Sequence, residues 1–381
     1  MAVRVLVVDD SVFFRNRIKQ ILTSHPSIEV VDTAKNGAEA VAKVKLLHPD
    51  VVTMDVEMPE MDGITALKKI MAECPCQVVM LSSLTRRSAA VTLEALSLGA
   101  ADYMEKDARE WLAGSGQSDT GGVEKVLAEK VLALAGRKPR PGLNSRIEPV
   151  AKPSPALRES VVSATVQTRP SAPLTEAKTD SRSVKGNSKV RIPDCGIVSI
   201  GSSTGGPAAL QFILTEIPAD FPVPVLITQH MPKAFTSVFA KRLDDLCAVT
   251  VKEAEHGDKL LPGHVYLAPG GQQMILDPSN AGKLIIRESD QRMTYKPSVD
   301  LTFASVAKGY GRRAVALVLT GMGADGCDGA KLLKTVGATV WAQDKDSCTI
   351  FGMPKAVIDA QLADAVLNLE SIRQLFKHWG H

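Results

Sequence analysis

Ile200-Gly201-Ser202-Ser203-Thr204-Gly205-Gly206-Pro207 is the stretch that decides how the second half of this chain folds. It closes an apolar run, Gly196 to Ile200, with the composition of a buried strand, and Pro207 opens a helical pattern behind it. A serine on a glycine-lined strand-to-helix turn stands beside a helix N-terminus, where backbone N–H groups can receive a developing oxyanion. The spacing Gly201-x-Ser203-x-Gly205 suits a nucleophile, a tight structural turn or a phosphate loop. The string alone leaves all three open.

Two later segments favour the nucleophile. Val223-Pro224-Val225-Leu226-Ile227-Thr228 reads as a strand ending in Gln229-His230-Met231-Pro232, and Ala314-Val315-Ala316-Leu317-Val318-Leu319 as another ending in Thr320-Gly321-Met322-Gly323-Ala324-Asp325-Gly326. In an open parallel sheet the carboxyl ends of strands share one crevice. Ser203, His230 and Asp325 are therefore expected to meet as nucleophile, base and orienting acid. The chain order Ser, His, Asp excludes the α/β-hydrolase fold, whose elbow serine is followed by the acid and then the histidine.

The chain has 381 residues, room for two or three domains, and a net charge of +3, too small to argue for nucleic acid. No apolar run reaches the roughly 18–20 residues of a membrane helix. Met1 to Asp10 reads as a short strand ending in acids, not a signal peptide, so a cytoplasmic protein is expected. The six cysteines show no paired metal-ligand spacing, which argues against structural zinc.

Residues 1–135 alternate short apolar runs (Arg4–Val8, Glu29–Thr33, Val51–Met54, Val78–Leu81, Ala101–Met104) with helical patterns, the last over Val123–Ala135. Residues 136–190 are rich in Pro, Ser, Lys and Arg. From Arg137 to Arg191 there are 12 basic residues against four acids, and hydrophobic periodicity is lost. Such a segment cannot bury enough surface to offset its ordering entropy, so a disordered basic tether is expected. Residues 191–381 resume the alternation. The fold class is therefore α/β: two doubly wound parallel-sheet domains, the first flavodoxin-like and the second Rossmann-like, on a flexible linker.

In the first domain Asp9 and Asp10 close the first strand, Asp55 the third, Ser82 the fourth and Lys106 the fifth. Three close carboxylates repel one another unless a cation neutralises them, and hard oxygen donors favour Mg²⁺. A lysine and a hydroxyl beside them suit a phosphorylated carboxylate. The region resembles the receiver domain of bacterial two-component response regulators, above all in Val7-Val8-Asp9-Asp10-Ser11 and Met54-Asp55-Val56-Glu57-Met58-Pro59-Glu60-Met61-Asp62-Gly63. The resemblance implies that Asp55 takes phosphate from a histidine kinase and that Asp9, Asp10, Asp55 and the Glu57 carbonyl hold Mg²⁺. It also implies that Ser82 and Lys106 contact the phosphoryl group and that Tyr103 is the aromatic switch. Two departures stand out: Asp107 follows Lys106 where the family has proline, and a polar insertion runs from Gly114 to Gly122.

The second domain resembles the catalytic domain of the chemotaxis protein-glutamate methylesterases. The serine, histidine and aspartate strings carry the likeness, with Tyr266-Leu267-Ala268-Pro269-Gly270 and Phe351-Gly352-Met353-Pro354. It implies hydrolysis of glutamate γ-methyl esters on chemoreceptors, and deamidation of receptor glutamines, with no cofactor at the hydrolytic site. Ser203, His230 and Asp325 would form the triad, with backbone N–H groups of Met322 and Thr204 for the oxyanion. The partners expected are chemoreceptors and the pathway's histidine kinase, with no nucleic acid, no membrane insertion and a monomeric enzyme. Two rival functions would need residues that this chain lacks. A dinucleotide-binding loop wants an acid where Gln229 and His230 stand, and a DNA-binding regulator wants a basic recognition helix that the second half lacks.

Overall fold

The computed structural model describes residues 2–83, 85–107, 111, 122–137, 139 and 192–379. Residues 138 and 140–190 of the expected tether, and 114–121 of the polar insertion, lie outside them.

The first domain runs β1 (Val3–Val8), α1 (Val12–Thr23), β2 (Ile28–Ala34), α2 (Gly37–Leu47), β3 (Val51–Asp55), α3 (Gly63–Glu73), β4 (Gln77–Ser82), α4 (Arg86–Leu98), β5 (Asp102–Glu105) and α5 (Gly122–Leu134). All strands pair parallel in the order β2-β1-β3-β4-β5, so β3 and β4 are buried end to end and helices cover both faces. The order reverses at β1, which opens a crevice between the ends of β1 and β3. The helices begin where short polar side chains satisfy the first N–H groups: Ser11, Asn36, Asp62 and Thr85 each accept from a residue three further on.

The second domain runs β6 (Ile197–Ser202), α6 (Gly206–Leu214), β7 (Val225–Gln229), α7 (Lys233–Leu246), β8 (Thr250–Glu253), β9 (His264–Leu267), β10 (Gln272–Asp277), β11 (Asn280–Glu288), α8 (Val299–Tyr310), β12 (Ala314–Val318), α9 (Cys327–Thr335), β13 (Thr339–Gln343), α10 (Met353–Asp359), β14 (Ala365–Leu367) and α11 (Leu369–Lys377). Seven strands pair parallel in the order β14-β13-β12-β6-β7-β9-β8. The strand order reverses beside β6, so the serine strand lies between the other two site strands, β12 and β7.

One element departs from the expected alternation. β10 and β11 form an antiparallel hairpin apart from the main sheet. Asp277-Pro278-Ser279-Asn280 makes the turn, with the Asp277 carboxylate accepting the Ser279 N–H at 2.8 Å. Its apolar side (Met274, Leu276, Leu284) packs with Phe303 and Val306 of α8 in a second core layer. Each buried phenylalanine such as Phe303 contributes about 2–3 kcal/mol through removal from water.

The two domains are docked. Tyr103 of β5 stacks on Phe235 of α7 with ring centroids 4.7 Å apart. Arg242 donates to Ser97 Oγ at 2.9 Å, and Ser97 Oγ donates to Gln211 Oε1 at 3.2 Å. Ile350 and Met322 join the apolar cluster of Leu127, Val131 and Leu134 on α5. The first domain thus lies against the loops that carry the serine and the aspartate.

Candidate catalytic and phosphoacceptor sites

Ser203 follows β6, His230 follows β7, and Asp325 stands seven residues past β12, just before α9. The registers Val318↔Gly201 and Ser202↔Gln229 bring these ends level. The serine turn is held from below. Ser203 N–H donates to Thr320 O at 3.0 Å, and Ser203 O accepts from Gly206 N at 2.8 Å and Gln229 Nε2 at 2.9 Å. Gln229 is buried, and its Oε1 accepts from Ser202 Oγ at 2.7 Å. Gly205 has φ +76°, and a Cβ there would collide with Thr349, so no other residue fits. Unlike α1 to α4, α6 has no side-chain cap at its start, where Gly206 N bonds Ser203 O and Pro207 has no N–H.

His230 Nε2 bonds Asp325 Oδ2 at 2.8 Å. Asp325 also accepts from Ser298 Oγ (3.0 Å), Val299 N (2.7 Å) and Asp300 N (3.0 Å), so it sits on the N-terminus of α8. Burial alone would raise its carboxyl. The hydrogen bond and charge of His230, with the N–H groups of Asp300 and Val299, outweigh that and hold it below the usual carboxylate range. Asp300 returns the favour to α9, where its Oδ1 accepts from Gly326 N (2.9 Å) and Gly329 N (2.7 Å). Burial, opposed by the Gly329 N–H but reinforced by the Asp325 charge, pushes Asp300 up to about 6.

With Nε2 committed to Asp325, Nδ1 is the ring nitrogen left to take a proton. Among the described residues the N–H groups of Thr204 and Met322 have no protein acceptor. The Thr204 side chain turns to the first domain, donating to Asp102 Oδ2 at 2.7 Å, and Lys130 bonds the same carboxylate.

In the crevice of the first domain Asp9, Asp10 and Asp55 offer oxygens all within 4.8 Å of one another. Lys106 Nζ donates to Asp9 Oδ2 and Asp55 Oδ2, each at 2.8 Å. Burial, only partly offset by Lys106 and reinforced by Asp9, pushes Asp55 up to about 6. A fully buried carboxylate beside two others, all hard oxygen donors, fits a divalent cation such as Mg²⁺. Asp107 does not displace the lysine, since Lys106 N still bonds Ser82 O at 2.8 Å. Ser82 stands at the end of β4, but its hydroxyl is turned to α4, accepting from Thr92 Oγ1 at 2.8 Å. Glu57 lies beside the site, its side chain accepting from Ser88 Oγ at 3.1 Å.

Sequence reasoning missed Tyr295, Gln273, Ser298 and Asp300 around the imidazole, and Asp102 and Lys130 at the docked face. Only Ser298 and Asp300 left a signal, a capping residue and an acid at the head of a helical pattern.

A family profile for CheB methylesterase matches residues 198–376, and one for the response regulator receiver domain matches residues 5–112. A protein-glutamate methylesterase/protein-glutamine glutaminase of Pseudomonas putida is 51% identical over 372 residues, spanning 98% of both chains. The chain belongs to the CheB methylesterase family. A Vibrio cholerae protein of the same description is 45% identical over 377 residues, again across 98% of both chains. The crystal structure of the Thermotoga maritima CheB methylesterase catalytic domain is 44% identical, covering 48% of this chain and 97% of that one, with a TM-score of 0.46.

Proposed function

We propose that this chain is a phosphorylation-regulated serine hydrolase that removes methyl esters from receptor glutamates and deamidates receptor glutamines. The observation that carries the reading is the His230–Asp325 pair at the crevice shared by the ends of β6, β7 and β12. Ser203 Oγ attacks the γ-carbonyl carbon as His230 Nδ1 takes its proton. Asp325 holds the ring by Nε2 and stabilises the imidazolium. The carbonyl oxygen becomes an oxyanion facing the Thr204 and Met322 N–H groups. His230 then returns the proton to the leaving group, so methanol departs from an ester and ammonia from an amide. Water, deprotonated by the same nitrogen, cleaves the acyl-enzyme to glutamate. Ester and amide share every step except the leaving group.

Control comes from the receiver. Asp9, Asp10 and Asp55, with the Glu57 carbonyl, would hold Mg²⁺, which when bound supplies positive charge against the phosphoryl oxygens. Asp55 accepts the phosphoryl group from a histidine kinase, Lys106 neutralises it, and Ser82 reaches it only by leaving Thr92 and Ser88. That movement loosens α4, which packs on α7, the helix that carries Phe235 of the Tyr103 stack. The docked receiver covers the loops of Thr204 and Met322, so the described arrangement is the restrained one. The enzyme would act on receptors from the cytoplasm as a monomer; among the described residues no helix is long and apolar enough to cross a membrane.

Membranes carrying radiolabelled methylated receptors test the reading. The expected result is methanol release by the wild-type protein, stimulated by a phosphodonor. Ser203→Ala and His230→Ala should each lower it at least about 10³-fold, and the double variant should lower it no further. Full activity in a folded Ser203→Ala protein would remove the serine from the mechanism.

A further inference from the structure

The face of the His230 ring is covered by a residue the triad does not include. Tyr295 lies parallel to the imidazole, centroids 4.3 Å apart and planes 8° from coplanar. The buried Gln273 amide fixes it: Nε2 donates to Tyr295 O at 3.0 Å while Oε1 accepts from Ser298 N at 2.8 Å. Ser298 is also a donor to Asp325. One short segment therefore sets both the ring's face, through Tyr295, and its edge, through Asp325. Gly323 makes room for the phenol, since a Cβ there would lie 2.5 Å from the Tyr295 oxygen. Burial first, then the charges of Asp325, Glu129 and Asp300, raises the Tyr295 hydroxyl, so the phenol stays neutral.

We propose that Tyr295 is a positioning residue for the reaction, fixing the rotation of His230 and stabilising its imidazolium through the negative face of the phenol ring. The inference rests on His230 serving as base. An imidazolium forms only after Ser203 gives up its proton, so a π face laid on that ring favours the charged state over the resting one. The charged groups around the pair are Asp325, Asp300 beside it on α8, and Glu129 from α5, and none is altered by changing Tyr295.

The test uses the full-length protein, activated with a small-molecule phosphodonor, in two variants. Tyr295→Phe keeps the ring, and Tyr295→Leu keeps bulk without the π face. Tyr295→Leu should lower kcat/KM about two- to fivefold and move the acid limb of its pH profile about half a unit to lower pH, while Tyr295→Phe leaves both near wild type. The ¹⁵N NMR titration of the His230 imidazole, assigned by its loss in His230→Gln, should move in the same direction in Tyr295→Leu alone. An unmoved titration in Tyr295→Leu, or a Tyr295→Phe protein as impaired as Tyr295→Leu, would overturn the proposal. The titration needs no substrate, so a wild-type protein inactive on receptor esters would fault the functional reading and not this one.

Discussion

Asp55 and Asp325 are both buried aspartates at the carboxyl end of a parallel sheet, and their surroundings push them in opposite directions. Asp55 shares one lysine with Asp9, so burial wins and its carboxyl is pushed up to about 6. Asp325 meets an imidazole and the N-terminus of α8, so burial loses and its carboxyl is held down. The deciding variable is the number of donors, not depth. An under-supplied carboxylate is poised to accept a neutralising ion and a phosphoryl group. A fully supplied one is a fixed support for a ring.

Exchanging each aspartate for asparagine should separate the two regions most sharply. Asp325→Asn puts an amide where Nε2 and three further donors converge, and hydrolysis should fall about 10³–10⁴-fold. Asp55→Asn should abolish phosphorylation and its stimulation, with unphosphorylated hydrolysis within about twofold of wild type. Phosphate incorporation and methanol release, measured on both proteins, check the pair. An Asp325→Asn enzyme with ordinary activity would break the comparison.

A middle-sized effect concerns the docked face. A fragment of residues 191–381 should hydrolyse receptor esters about 5- to 150-fold faster than the unphosphorylated full chain, the range of ordinary coupling free energies. Its folding is checked by thermal melting. Equal or lower activity in a folded fragment would argue that the receiver promotes catalysis and does not restrain it.

The smallest effect lies next to Asp325. Asp300 is raised to about 6 from 3.8, so its ionisation opposes folding, and the penalty grows as pH rises from about 4 through 6. Asp300→Asn keeps an oxygen for Gly326 and Gly329 and removes the charge. It should be more stable than wild type at pH 7.5 by about 1 kcal/mol, after allowance for solvent screening, and level with it near pH 4. Denaturant melts at the two pH values decide it, and a variant less stable at pH 7.5 would show that the carboxylate charge is needed for the cap.

The sequence disclosed most of this architecture because strand ends carry their own punctuation. Ser203, His230 and Asp325 each follow an unbroken apolar run and sit among glycine or proline, as the receiver acids follow theirs. What stayed hidden depends on contacts made at a distance. Tyr295 meets His230 across 65 positions, and the Ser82 hydroxyl direction is set by Thr92 on the following helix. Asp102 and Lys130 carry no mark that they reach Thr204 in another domain. Asp277-Pro278-Ser279-Asn280 is a turn-forming string, but such a string does not say that the chain leaves the main sheet.

The exchange in which Asp325 sits on the head of α8 and Asp300 on the head of α9 bears on how this site can change over generations. Each carboxylate is anchored to the helix that the other one begins, so losing either unsettles both. A descendant that gave up hydrolysis would still be under selection to keep a hydrogen-bond acceptor at both positions for folding. Ser203 is under no such obligation, because its main-chain bonds hold the turn whatever side chain it carries. In a related chain of unknown activity, the serine is therefore the informative letter and the aspartates are not.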